Sequence, residues 1–298
     1  MTINPKSNNS FVDTLKTIPI NGKTKLFGVI GDPISHTASP LMHNTSYKEL
    51  GLDCVYVPLH VRPNELKTAI DGLKAIDIQG FNVTIPHKES IINFLDNIDQ
   101  TASSIGAVNT VVNEDGKLTG YNTDGDGFLL SLKHDLDYDF SNKSVVILGA
   151  GGSAKSIAFS LIKQNIKQLC ILNRTFEKAL HLKQHLQKHT TTPISCFNYD
   201  KSDYFLMLKE ANLIINTTSL GMTPDLNKSP ITDFNWVESR HFLVDIIYNP
   251  KETMFLREGS KLGAKTLNGS GMLAGQGCLA FKLFTKREID YNIMKNVL

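Results

Sequence analysis

Apolar runs of five or six residues punctuate the chain: LFGVI (26–30), CVYVPL (54–59), GFNVTI (80–85) and SVVIL (144–148). Each is too short for a helix, is flanked by polar or glycine residues, and reads as a buried strand. Amphipathic stretches lie between them. After SVVIL and a glycine-rich turn, Ala154, Ile157, Ala158, Leu161 and Ile162 recur at i, i+3, i+4, i+7 and i+8, one face of a helix. A further strand, Gln168–Leu172, completes a βαβ unit. Later strands are predicted at 194–198, 212–216, 242–247 and 264–267, and a last helix at 270–285. Strand-then-helix alternation throughout predicts an α/β protein with mostly parallel sheets. Ser39-Pro40, with Ser39 as the cap, Arg62-Pro63 and Ile85-Pro86 mark three helix starts. The stretch 120–143, rich in Gly, Asp and Asn, separates the first α/β unit from the second.

At 298 residues and 33.0 kDa, the chain has the length of two domains. Lys+Arg (31) nearly balances Asp+Glu (29), which argues against binding nucleic acid by bulk charge. No apolar stretch reaches the ~18 residues a membrane helix needs. Residues 1–25 lack the apolar core of a signal peptide and read as a partly disordered extension of a cytoplasmic protein. Cys54, Cys170, Cys196 and Cys278 are too sparse for a disulfide scaffold or a CxxC pair and read as buried free thiols.

The turn after SVVIL is Gly149-Ala150-Gly151-Gly152-Ser153-Ala154, a G-x-G-x-x-A pattern between strand and helix. Its glycines allow a tight turn and close backbone approach to a pyrophosphate, and the helix start supplies free N–H groups. The next strand ends in Asn173-Arg174-Thr175, with Lys178 one turn on. An NAD site carries an acid here for the ribose 2′-OH. This chain has none, and Arg174, one of five arginines, offers a planar guanidinium suited to a 2′-phosphate. NADP is the expected cofactor.

The first half concentrates polar residues at strand ends: 31–40, 82–88, 106–110 and 122–125. In an open α/β sheet those ends face the ligand crevice. Their hydroxyls, amides, one Lys and one Asp suit a small polyhydroxylated substrate. Lys88 follows Pro86 at a predicted helix start, where the dipole disfavours a cation, and that misplacement favours a functional role over a solvated one.

The motifs GDPISHTASPLMHN (31–44), GFNVTIPHKE (80–89), GAVNTVV (106–112), GYNTDGDGF (120–128) and GAGGSAKSIAFSL (149–161) resemble the shikimate dehydrogenase family. NRTFEKA (173–179), INTTSLGM (215–222), DIIYNP (245–250) and NGSGMLAGQG (268–277) continue the match in the family's order. The resemblance implies reversible NADPH-dependent reduction of 3-dehydroshikimate to shikimate, towards chorismate and the aromatic amino acids. It implies a substrate domain over 26–123, a Rossmann-type NADP domain over 124–268, and a C-terminal helix (269–298) returning to the substrate domain. Thr37 and Ser39 look like the carboxylate-binding pair. Thr84, Lys88, Asn109, Asp124 and Gln276 look like ring-hydroxyl contacts, and Tyr248 a further substrate contact. Gly149, Ala150, Gly151, Gly152, Ser153, Asn173, Arg174, Thr175, Lys178, the backbone near Ile246, and Gly269 look like cofactor contacts. Gln276 interrupts the apolar stripe Met272, Leu273, Leu279, Ala280 and Leu283, where a buried amide needs a partner.

The chain departs from the family's usual residues at Thr37 (Ser), Lys178 (Arg) and Asn268 (Asp). Lys88 is the expected proton-exchanging group, with Asp124 as charge partner; His87 is the alternative base. A quinate or dual quinate/shikimate dehydrogenase keeps nearly all of this pattern. A non-catalytic sensor on the same fold should lack Lys88 or Asp124. His181, His185 and His189 share a helix face, but the neighbouring lysines and the absence of a carboxylate favour a solvated helix over a metal site. Expected partners are the small-molecule substrate and a second copy in a homodimer, not nucleic acid or a membrane.

Overall fold

The computed structural model describes residues 20–199 and 203–298. Most of the expected extension, 1–19, lies outside the described residues. Its end is ordered: Thr24 Oγ1 donates to Asp53 Oδ1 (2.7 Å), and the first strand starts at Lys25.

The first lobe runs β1 (Lys25–Gly31), α1 (Ser39–Glu49), β2 (Cys54–His60), α2 (Leu66–Ala75), β3 (Gly80–Val83), β4 (Asn97–Ile98), α3 (Gln100–Ile105), β5 (Thr110–Glu114) and β6 (Lys117–Tyr121). Helix α4 (Asp124–Leu136) follows. The second lobe comprises β7 (Ser144–Leu148), α5 (Gly152–Leu161), β8 (Gln168–Leu172), α6 (Phe176–Leu186), β9 (Ile194–Phe197), α7 (Asp203–Glu210), β10 (Leu213–Asn216), β11 (Phe242–Asp245), α8 (Met254–Lys261) and β12 (Lys265–Leu267). Helices α9 (Ser270–Thr285) and α10 (Tyr291–Lys295) end the chain.

The second sheet is wholly parallel, in the order β12-β11-β10-β7-β8-β9. That is the doubly wound order, and its switch point lies between β7 and β10. Strands buried on both faces need continuous apolar sequence, which SVVIL (144–148) and LIIN (213–216) supply.

The first sheet, ordered β2-β1-β3-β5-β6-β4, is mixed rather than mostly parallel. β5 runs antiparallel to both β3 and β6. The β5–β6 hairpin closes through Asp115-Gly116, both at positive φ (52° and 79°), the conformation that favours Asp-Gly in tight hairpins.

Two expected helix starts differ, at Pro86 and at Ser39. The Gly/Asp-rich boundary stretch contains the helix α4. Its glycines serve close packing: a Cβ on Gly127 would lie 2.6 Å from Gln276 Cα, and one on Gly125 2.9 Å from the Ser156 carbonyl carbon. α4 therefore presses on α9 and α5 together. Beyond Ile85-Pro86 the chain forms turns and then a 3₁₀ segment, Ser90–Phe94, so Lys88 is not in the first turn of an α-helix. The dipole reasoning for Lys88 does not apply. Ser39 is one residue inside α1, whose cap is Ala38.

α9 packs on α4, α1, α10 and β5, which returns the C-terminus to the first lobe. Among the described residues no helix is long and apolar enough to cross a membrane. Cys54 and Cys170 are buried thiols; Cys196 and Cys278 are half-buried.

Candidate active site

Topology gathers the polar motifs at one edge of the first sheet. β1 and β3 are parallel, so the loop 32–38 and Thr84 leave the same edge. β5 runs the other way, so its beginning, Asn109-Thr110, lies there too, with Thr110 paired to Asn82. β6 turns back, Tyr121 pairs with Thr110, and Asn122-Thr123-Asp124 arrives beside Asn109.

At that edge Lys88 Nζ lies 2.5 Å from Asp124 Oδ2, both side chains largely buried (13% and 6% exposed). The other Asp124 oxygen accepts from Asn109 Nδ2 (2.7 Å). Asn109 Nδ2 also reaches Thr123 Oγ1 (2.9 Å) and Gln276 Oε1 (3.4 Å). Gln276 Nε2 donates to the Leu273 carbonyl (2.9 Å), so the amide on the apolar stripe is satisfied within the site. Asp124 occupies the first turn of α4, where the helix dipole favours an anion. The Val108 amide donates to the Lys88 carbonyl (2.8 Å) and anchors the turn carrying the lysine. Removing a charge pair from water is costly, and here every oxygen of the carboxylate is engaged.

Ser39 is buried, and its amide donates to Thr37 Oγ1 (3.3 Å). Thr84, half-buried, packs its methyl against Gly31, where a Cβ would lie only 2.5 Å away. Tyr248 comes from the second lobe. Its hydroxyl donates to the His36 carbonyl (3.2 Å), and burial raises its pKa. His87, the alternative base, is buried with Nε2 on the Val61 carbonyl (2.7 Å), a structural role.

Across the cleft, Gly149 (φ 115°) turns the chain into α5. A Cβ there would lie 2.5 Å from Thr217 Oγ1, so only glycine fits. Gly151 faces open space, and a Cβ on Gly152 would meet nothing closer than Lys88 Cδ at 3.8 Å. A bare backbone at a helix start with open space before it fits a pyrophosphate, within reach of the lysine stem. Arg174, Thr175 and Lys178 are exposed at the end of β8 and the start of α6. Gly269 closes the far wall: its amide donates to the Ile247 carbonyl (2.9 Å), and a side chain would strike Ile246. Asn268 accepts from Ser270 Oγ (2.7 Å) and donates to the Lys251 carbonyl (3.0 Å), a donor that Asp would lack.

Asp245, fully buried with no cation beside it, ties these walls. It accepts from the Ile247 amide (2.9 Å), Asn216 Nδ2 (3.0 Å) and Thr253 Oγ1 (2.8 Å), and burial pushes its pKa up to about 6. Asn122 and Thr123 stood in the strand-end polar stretch 122–125 without a role of their own, and Asp245 was not singled out from sequence. Asn122 Nδ2 joins the lobes by donating to Ser156 Oγ (2.9 Å) and the Ala107 carbonyl (2.8 Å). The motifs NTD and DIIYNP were the available signals. Of the three histidines expected on one helix face, His181 and His185 lie on α6 and His189 lies beyond its end; His185 Nε2 is committed to the Ser104 carbonyl (2.5 Å).

One lobe built to hold a dinucleotide, and another that sets a lysine–carboxylate pair beside it, define the class of nicotinamide-dependent oxidoreductases. The comparisons narrow the class. Residues 29–111 match the shikimate dehydrogenase substrate binding domain, 131–253 the shikimate / quinate 5-dehydrogenase domain, and 269–298 the shikimate 5′-dehydrogenase C-terminal domain. The shikimate dehydrogenase (NADP(+)) of Methanocaldococcus jannaschii is 44% identical over 279 residues, 94% of this chain and 98% of that one. A crystal structure of a shikimate dehydrogenase in complex with NADP+ superposes with a TM-score of 0.86 at 44% identity, covering 93% of this chain and 96% of that one. The quinate dehydrogenase from Corynebacterium glutamicum, in complex with NAD, is more distant: 28% identity and a TM-score of 0.84, over 92% of this chain and 98% of that one. The chain belongs to the shikimate dehydrogenase family.

Proposed function

We propose that the protein catalyses the reversible, NADPH-dependent reduction of 3-dehydroshikimate to shikimate, with Lys88 and Asp124 as the reacting pair. The observation that carries this reading is their 2.5 Å contact directly across from the Gly149–Gly152 turn. When bound, the nicotinamide supplies or takes the hydride. The protein must then exchange the proton of the carbon-3 hydroxyl, and the Lys88 ammonium is the available group. Asp124 holds and orients that ammonium. Thr37 and Ser39 bind the substrate carboxylate, Thr84, Lys88, Asn109, Asp124 and Gln276 take the ring hydroxyls, and Tyr248 is a further substrate contact. Gly149–Ser153 hold the pyrophosphate, with Ile246 and Gly269 behind it. Asn173, Arg174, Thr175 and Lys178 receive the adenosine 2′-phosphate. The domain division at 26–123, 124–268 and 269–298 belongs to the same reading, with one qualification from packing. α4 touches both lobes and acts as the joint between them. A homodimer in the cytoplasm completes the proposal.

Lys88→Met tests it. It keeps the apolar stem and removes the ammonium, and kcat should fall by about 10²–10⁴, the usual worth of a positioned acid–base group. The KM for shikimate should change far less. A variant with near-wild-type kcat would remove Lys88 from the chemistry.

A further inference from the structure

Behind the reacting pair lies a buried chain of hydrogen bonds. The Tyr56 hydroxyl donates to Asn82 Oδ1 (2.7 Å). Asn82 Nδ2 donates to the Asn109 carbonyl (3.1 Å) and to Thr110 Oγ1 (3.0 Å). Thr110 Oγ1 donates to Asn109 Oδ1 (3.0 Å), which also accepts from the Thr123 amide (2.8 Å). Asn109 Nδ2 then meets Asp124 Oδ1 (2.7 Å). All of these residues are buried.

Groups that can only donate or only accept set the sense of the two amides. A backbone carbonyl can only accept, so Asn82 must turn its NH₂ toward Asn109 and Thr110 and its oxygen toward Tyr56. The Thr123 backbone N–H can only donate, so Asn109 turns its side-chain oxygen to it and its NH₂ to the carboxylate. Thr110, whose oxygen already receives Asn82, adds its one proton to the same Asn109 oxygen at 3.0 Å, nearer than its other acceptor, Thr123 Oγ1, at 3.4 Å. The reverse orientation would set two oxygens against each other at the Asp124 contact and displace the carboxylate from Lys88.

We propose that Thr110, Asn82 and Tyr56 are positioning residues that hold the Asn109 amide in the orientation the Thr123 N–H sets and, through it, hold Asp124 against Lys88. The inference rests on the assignment of Lys88 and Asp124 as the reacting pair. Asn82, a polar residue inside a strand of otherwise apolar character (GFNV), has its explanation here. Tyr56 is locked by stacking on His43, ring centroids 4.3 Å apart and planes 4° from parallel.

Thr110→Val and Thr110→Ser separate the hydroxyl from the volume. Thr110→Val should lower kcat with shikimate about tenfold, the scale of one buried hydrogen bond, while the KM for NADP+ stays within about twofold. Thr110→Ser should retain about half of the wild-type kcat or more, since it keeps the donor. Wild-type kcat in folded Thr110→Val, or equal loss in both variants, would overturn the proposal. If Thr110→Val does not fold, Tyr56→Phe decides. It keeps the ring stack and removes one of the bonds that hold Asn82, so it should lower kcat in the same sense, and a wild-type kcat would overturn the proposal. Lys88→Met run beside them keeps the two levels apart. If it loses kcat while Thr110→Val does not, only the positioning role fails; if it retains kcat, the reacting-pair assignment fails.

Discussion

Lys88 and Asp124 are costly to keep out of water, and their partners show how the cost is offset: a carboxylate whose two oxygens are taken by an ammonium and an amide, at the first turn of a helix. His43 and Asp245, by contrast, have no charge partner among the described residues, and Asp245 is held by neutral hydrogen bonds alone. Among the described residues neither ring nitrogen of His43 has a hydrogen-bond partner, and burial pushes its pKa down from 6.5 to about 3. Between those values the unfolded chain binds the proton and the folded one does not. Stability is therefore full above pH 6.5 and falls as the pH drops toward 3. By pH 4.5 the two units convert to about 3 kcal/mol. Asp245 acts in the opposite sense, since its folded pKa is raised from 3.8 to about 6 and folding gains from its protonation in that window. His43→Phe isolates the first effect. Denaturant unfolding at pH 7 and pH 4.5 should show the variant losing about 3 kcal/mol less than wild type on acidification, and equal losses would contradict it. The proposed reacting residues were legible in sequence because NVTIPHK and NTDG join unusual residue types at fixed spacing. Asn82 and Thr110 stood among the polar residues at strand ends, but their pairing was not legible before the β3–β5 register set them opposite one another. Tyr56 and His43 look like ordinary strand and helix residues.

At the scale of elements, the doubly wound sheet was readable because its strands are uniformly apolar and its helices periodic. Predicted strands at 194–198, 212–216, 242–247 and 264–267 occur within two residues of those bounds, and the last helix spans 270–285 as expected. The failures share one cause: glycine and proline were read as local punctuation where tertiary packing decided. Gly125 and Gly127 bring α4 onto its neighbours, and Pro86 opens a turn rather than a helix. The Asp115-Gly116 hairpin signal was present but was passed over in favour of a parallel sheet. Gly127→Ala tests the packing account. With a Cβ forced against the Gln276 backbone, stability should fall by about 1–3 kcal/mol, the usual cost of overpacking, and the KM for shikimate should rise as Gln276 shifts. Wild-type stability in thermal unfolding would mean that α4 and α9 have room to part.

In the whole molecule, the two lobes meet through few polar ties: Lys155 to Glu89 (2.7 Å), Asn122 to Ser156, Tyr248 to His36 and His185 to Ser104. In the proposed function the second lobe sets the choice of cofactor at its exposed rim, where β8 ends in Asn173-Arg174-Thr175 rather than in an acid that would accept from a free ribose 2′-OH. In the same proposal the first lobe sets the choice of substrate with Thr37, Ser39 and the amides around Asp124. Both choices are read at once by initial rates of NADP+ and NAD+ reduction with shikimate and with quinate. Shikimate with NADP+ should be the fastest pair. NADP+ should be favoured over NAD+ by roughly 10–150-fold, the worth of a charged hydrogen bond to the 2′-phosphate. Equal use of the two dinucleotides, or faster turnover of quinate than of shikimate, would contradict the account.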